Sequence, residues 1–180
     1  MPGAFTLDGD RILLGGTVLV YLERCRATPA PLPRGPLPRP HGASPLAVGE
    51  SGVVVAPLPP GEAVWLGFQP VDREVPTEVR VRVDGPRPVD VVTGEPWEDG
   101  PPAGGHLICP PATSLAGPPV PGGRRLLGAD GPERLTLFTS GREPGQAAVK
   151  LVRPEVFTSL TGRVCPPLDA DAAFKGTRLP

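Results

Sequence analysis

His106 stands three residues before Cys109, and this is the nearest the chain comes to a nucleophile beside a base. On a strand those two positions point to opposite faces, so the pair makes a poor dyad. His41, the other histidine, lies in a proline-rich stretch. A general base needs a partner that positions it, and none is evident, so His106 reads as an ordinary, partly buried histidine. The serines are Ser44, Ser51, Ser114, Ser140 and Ser159, and none sits in G-x-S-x-G. Asp8-Gly9-Asp10 resembles the start of a calcium loop, but the remaining ligands and the closing Glu are missing, so it reads as a turn. Two separated histidines and no paired carboxylates on one face leave no metal site and no cofactor to expect. Gly15-Gly16, Gly104-Gly105 and Gly122-Gly123 precede no helix, so a phosphate-cradling loop is not indicated. Cys25, Cys109 and Cys165 are odd in number and far apart, with no C-x-x-C. Free, buried thiols are expected; one disulfide plus one free thiol is the alternative in an oxidising compartment.

Binding chemistry has more to work with. Trp97 lies between Glu95 and Glu98-Asp99, where an open indole could stack on a sugar or grip a basic partner. The plainer reading folds it back over a sheet edge, because large aromatics seldom stay exposed. Arg124-Arg125 beside Gly122-Gly123 could bind a carboxylate or phosphate, although adjacent strand residues diverge and a solvated strand end is the plainer reading. Trp65 is a core anchor or a stacking platform. Together with His106 and Glu62 it is a first candidate for lining an apolar pocket in a barrel mouth.

The elements that must position these residues are short strands. The chain of 180 residues holds 29 prolines and 24 glycines, only 4% aromatics and a hydrophobic fraction of 39%. Proline suits neither long helices nor central strands, while the patterned Val and Leu argue against disorder. A net charge of −1 gives no basic excess for a phosphate backbone, so nucleic acid is not expected as a partner. Gly61 to Gly94 organises the rest. Ala63 to Phe68 is apolar on both faces, as in a central strand, with Gly67 marking a bulge or a close approach of another backbone. Glu78 to Val83 alternates strictly, with Val79, Val81 and Val83 on one side. Asp84-Gly85 turns the chain toward a third strand at Val89 to Thr93.

Elsewhere, Arg11–Leu14 and Thr17–Leu22 flank a glycine pair and read as a hairpin. The run Ile12 to Leu22 lacks the basic leader and cleavage site of a signal peptide and is too short to span a membrane, so a cytoplasmic, membrane-free protein is expected. Thr28 to Pro45 carries seven prolines, favours polyproline II and is not expected to join a sheet. It reads as a long loop or insertion, or as a ligand for an aromatic groove. Further strands are expected at 51–56, 106–109, 124–127, 134–139 and 147–152, with Glu95 to Gly105 and Leu115 to Gly123 as loops. Val156 to Leu160 fits a short strand or a helical turn. Cys-Pro-Pro recurs at 109–111 and 165–167 as a way to stop a strand. The domain is expected to span residues 1–165, with 166–180 a tail in which Asp169 caps a helical turn reaching Lys175. The fold expected is all-β, an antiparallel sandwich or barrel of about 8–10 short strands with long Pro/Gly-rich loops.

Trp65-Leu66-Gly67-Phe68, the segment from Val83-Asp84-Gly85 through Val92-Thr93-Gly94, and Cys109-Pro110-Pro111 follow one another in an order that resembles an uncharacterised, β-sandwich-like all-β family. Ser114-Leu115-Ala116-Gly117 stands where that family has a W-L-D-G-type loop, and Arg124-Arg125-Leu126 where it has R-Q-F. The resemblance covers about residues 51–152. It implies a β-sandwich, and because the family has no established activity it implies no catalytic residue and no ligand. The function expected is a non-enzymatic binding or assembly module with a protein partner or self-association. The alternative is a small β-barrel enzyme or carrier with an apolar pocket for a small-molecule ligand. A third reading, an exported carbohydrate-binding module with Trp97 as platform, needs a leader that the N-terminus does not offer.

Overall fold

Turn-forming glycines interrupt the Val- and Leu-rich runs every few residues, and the described residues form many short strands and one short helix. The computed structural model describes residues 5–33, 35–49, 51–141 and 143–168. The strands are β1 (Phe5–Asp8), β2 (Arg11–Leu14), β3 (Val18–Arg26), β4 (Ala47–Val48), β5 (Val54–Pro57), β6 (Glu62–Pro70) and β7 (Thr77–Asp84). Then come β8 (Val89–Asp90), β9 (Leu107–Cys109), β10 (Ser114–Leu115), β11 (Pro119–Val120), β12 (Gly123–Arg124), β13 (Arg134–Ser140) and β14 (Gly145–Val152). The helix α1 covers Pro154–Thr161. A first, antiparallel sheet has the order β1-β2-β3-β6-β10. A second has the order β4-β5-β14-β13-β7-β8, with β9 also on β7. In it β5 and β14 run parallel, the other pairs antiparallel. β11 and β12 form a separate two-stranded ribbon. The molecule is mostly β, with several antiparallel sheets and little helix, and no sheet closes into a barrel.

Period-two patterning decides what is buried. On β3, Val18, Val20 and Leu22 face inward; on β6, Val64, Leu66 and Phe68 do so. Val79 and Val81 of β7, Leu135 and Leu137 of β13, and Val149 and Leu151 of β14 join them in one core cluster shared by both larger sheets. The central-strand reading of 63–68 holds, with β6 paired to β3 on one side and β10 on the other. The apolar run Ile12 to Leu22 is the β2–β3 hairpin, in register Ile12↔Val20. Its turn abuts the other sheet: a Cβ on Gly15 would lie 2.1 Å from the Glu143 carbonyl oxygen, and one on Gly145 would lie 2.4 Å from the Gly15 nitrogen. Gly15 also has φ 51°, so both space and dihedral require glycine there.

Of the strand and helical-turn readings of Val156 to Leu160 the helical one holds, and other expectations are corrected. The helix α1 has Pro154 in its first turn, Glu155 near its N-terminus and Gly162 at φ 69° closing it. Phe157 is fully buried against Val55 and Val152 on the outer face of the second sheet. Residues 115–123 are not wholly loop, since they hold β11 and parts of β10 and β12. Val91 to Thr93 is a turn, not strand. Cys165-Pro166-Pro167 ends no strand and lies in irregular chain after α1. At Gly67 it is the Tyr21 ring, not a backbone, that comes close: a Cβ would meet Tyr21 Cε2 at 2.1 Å.

The proline-rich segment does join the first sheet in part. Ala43 bridges Glu23 of β3, and Leu32 bridges Arg124 of the separate β11–β12 ribbon. Arg24 N donates to Gly42 O, His41 N to Arg24 O and Ser44 N to Leu22 O. Proline removes donors only at its own positions; the residues between keep theirs, and proline carbonyls still accept. Trp65 Nε1 donates to Pro38 O at 3.2 Å. The helical turn expected at 169–175 lies outside the described residues. No described helix is long and apolar enough to cross a membrane.

All three cysteines are free, Cys25 and Cys109 buried and Cys165 half-buried. Burial pushes the Cys25 thiol up to about 12, with Glu62 and Glu23 adding to the shift, and burial raises Cys109 as well. Burial raises Cys165 as well, but it alone of the three is accessible, so native protein at pH 8 takes one iodoacetamide label, at Cys165 and slowly, and unfolded protein takes three. Mass spectrometry of the labelled chain decides; rapid labelling of Cys25 in the native state would contradict its burial.

Candidate functional site

The short β11–β12 ribbon is built from glycines so that another segment can lie against it. A Cβ on Gly123 would sit 2.1 Å from the Leu32 carbonyl oxygen, and Leu32 N donates to Arg124 O at 2.7 Å. The proline-rich segment therefore runs alongside β12 and encloses a cleft of about 610 Å³ with it. Leu32, Pro36, Leu37, Ala116 and Val120 supply apolar walls, and Gly122, Gly123 and Arg124 are also on the rim. A second apolar cluster lies beside it: Cys25, Leu32, Ala63, Ala116 and Leu126, with Leu37 and Trp65 against them.

Arg124 holds this region together. Its Nη1 donates to Val91 O at 2.8 Å and Gly117 O at 2.7 Å, and its Nη2 to Val92 O at 2.8 Å. The same turn is held from its donor side by Asp90, which is fully buried. Asp90 Oδ1 accepts from Val92 N at 2.9 Å, Thr93 N at 2.8 Å and Thr93 Oγ1 at 3.0 Å. Acceptors of the 91–93 turn go to an arginine and its donors to a carboxylate, so the turn's polar groups are satisfied inside the protein. Burial lowers the Arg124 pKa from the ordinary arginine value, and the nearby Asp90 charge opposes that shift. Asp90 Oδ2 is buried against Gly105 without a hydrogen-bond partner among the described residues.

The other residues singled out from sequence lie in different surroundings. Arg125 diverges from Arg124, as adjacent strand residues should, and is paired with Glu133 through both nitrogens. Glu133 Oε2 also accepts from Gly128 N at 2.8 Å. Trp97 folds back onto the second sheet, stacked on Phe138 with centroids 5.4 Å apart and Arg82 5.5 Å from each ring. His106 is half-buried, and its Nδ1 has no hydrogen-bond partner among the described residues. Glu62 is paired with Arg24. Of the five binding candidates, Arg124 borders the cleft and Trp65 packs beside it, whereas Arg125, Trp97 and His106 do not line it. The pocket imagined around Trp65, Glu62 and His106 is not this cleft, which none of the three lines. Sequence reading missed Leu32, Leu37 and Val120; the isolated leucines among prolines were the available signal. No group of three or more His, Cys, Asp or Glu among the described residues is placed to hold a metal ion.

Glu23 faces Trp65 across the β3–β6 pair, and its Oε2 is buried without a hydrogen-bond partner among the described residues. Burial raises its pKa above the usual 4.5. The neutral acid is thus favoured in the fold, so stability falls as pH rises from 4.5 toward the raised folded pKa, the loss is complete above that pKa, and none is felt below 4.5. Glu23→Gln accordingly raises the melting temperature at pH 7, with the gain vanishing at pH 4 in paired thermal melts. A loss at both pH values would contradict this reading. No family model, no curated protein and no solved structure matches this chain.

Proposed function

We propose that this chain is a non-enzymatic binding module, built on a sandwich-like pair of sheets, that takes an extended apolar segment of a protein partner in the cleft that Leu32, Pro36 and Leu37 form with the β11–β12 ribbon. The observation that carries this is the composition of the cleft: its walls are Leu, Val, Ala and Pro, and its one charged lining residue among the described residues, Arg124, is committed to three backbone carbonyls. Such a surface offers apolar contact and little acid–base chemistry. Rigid, proline-lined walls lose little entropy when a partner docks. The resemblance over residues 51–152 and a cytoplasmic setting, in keeping with three free thiols, belong to the same proposal.

Peptides selected from a displayed random library against the intact protein test it. Selected peptides are expected to be apolar and extended, and Val120→Asp, at the half-buried cleft wall, weakens them at least tenfold while circular dichroism is unchanged. Equal binding to Val120→Asp would remove the cleft as the site. The second reading, a small apolar ligand in the same cleft, rests on its volume, which is of ligand size. A thermal-shift screen of small apolar compounds against the same pair of proteins separates the two.

A further inference from the structure

A second groove opens where the turn before β6, the turn before β13 and the start of α1 meet. It holds about 230 Å³, and it shares no lining residue with the cleft. Leu58, Pro59, Pro60 and Pro132 give it apolar walls. Arg153 and Glu155 also line it; both are exposed, and neither joins an ion pair among the described residues. The last described residues come close to this groove. Pro166 O accepts from Arg24 Nη1 at 2.8 Å, and Arg24 Nε donates to Glu62 Oε2 at 2.9 Å. Glu62 is itself a lining residue. A single ion pair therefore joins Pro166 to the groove, and residues 169–180 follow from there.

We infer that the groove is the seat of this chain's own residues 171–175, with the Phe174 ring between the proline walls, Asp171 toward Arg153 and Lys175 toward Glu155. Phe174 is the one aromatic among residues 168–180, and a single ring suits a groove of this volume. It lies eight residues beyond Pro166, a reach of roughly 26–29 Å when extended, which is ample from a point one ion pair away. Asp171, Phe174 and Lys175 keep the i, i+3, i+4 spacing of one helix face. One turn of helix thus presents a ring flanked by both charges to a rim that carries both opposite charges. The tether decides between copies. A short linker holds the segment at an effective concentration of about millimolar, above that of a second copy in dilute solution. The inference does not depend on what the cleft binds.

NMR of the full chain, with leucine methyls and phenylalanine rings labelled, tests this. Nuclear Overhauser contacts are expected between the Phe174 ring and the Leu58 methyls. Phe174→Ala should abolish them and move the Leu58 signals, while those of Leu135 and Leu137, deep in the core, stay in place. Lys175→Glu should lower the seated fraction, read from the Leu58 shifts, by about two- to fivefold, the worth of an exposed ion pair. Glu155→Lys in the same chain should restore it. Leu58 signals that are identical in Phe174→Ala and the unaltered protein overturn the seat. Contacts seen only between differently labelled copies in a mixed sample overturn it too, and give the groove to a second copy instead.

Discussion

Glu62→Ala is expected to lower the unfolding free energy by about 3–5 kcal/mol, the range for breaking a buried ion pair from one side. Arg24 and Glu62 are 3% and 10% exposed. Arg24 Nε and Nη2 donate to the two carboxylate oxygens at 2.9 Å each, and Nη1 to Pro166 O at 2.8 Å. Removing the carboxylate leaves a guanidinium inside the protein with one carbonyl for company. The pair itself need not be stabilising, because both charges were desolvated to make it. Arg24→Met with Glu62→Leu is therefore expected to recover most of the loss. Urea unfolding of the three proteins, compared at equal m-value, decides. A loss below about 1 kcal/mol for Glu62→Ala would mean that water reaches Arg24.

Arg124→Ala is expected to cost about 3 kcal/mol or more, because three charge-assisted hydrogen bonds disappear and Asp90 stays buried. Arg124→Lys should rescue little. An ammonium is a point donor on a flexible stem and cannot reach Gly117 O and Val92 O in the same geometry. Loss of the clamp also frees the Gly117 carbonyl beside the cleft, so binding there should fall with stability. Retention of near-native stability by Arg124→Lys would show that charge, not the planar fork, is what the turn requires.

Much of the sheet was legible because alternation is local. Val79-Arg80-Val81-Arg82 can only sit one way on a half-buried sheet, and the apolar run at 63–68 only in its middle. The turns at Gly9 and at Gly15-Gly16 were legible for the same reason. The helix had its signals, Pro154 and Gly162, but eight residues with Val156, Phe157 and Leu160 fit more than one period. The proline-rich segment was misread because its order comes from other segments: the Trp65 indole, the Arg124 carbonyl and the edge of β3. The cleft was invisible for that reason too. Arg124 and Arg125 were singled out as a doublet, yet what they do depends on carbonyls 32 and 33 positions away and on a carboxylate 8 away.

The parallel pairing of β5 with β14 carries a kinetic consequence. The β2–β3 and β13–β14 hairpins join neighbours and can close within microseconds. Val54 must instead find Val149 about half the chain away, with β6, β7 and β13 between them in sequence. Loop-closure entropy makes that step late, and a topology rich in such pairings folds in milliseconds to seconds. β4 and α1 both rest on β5, so the three arrive together and leave together. In native-state hydrogen exchange, the amides of β5 and α1 should open as one unit while those of β7 and β13 are still protected.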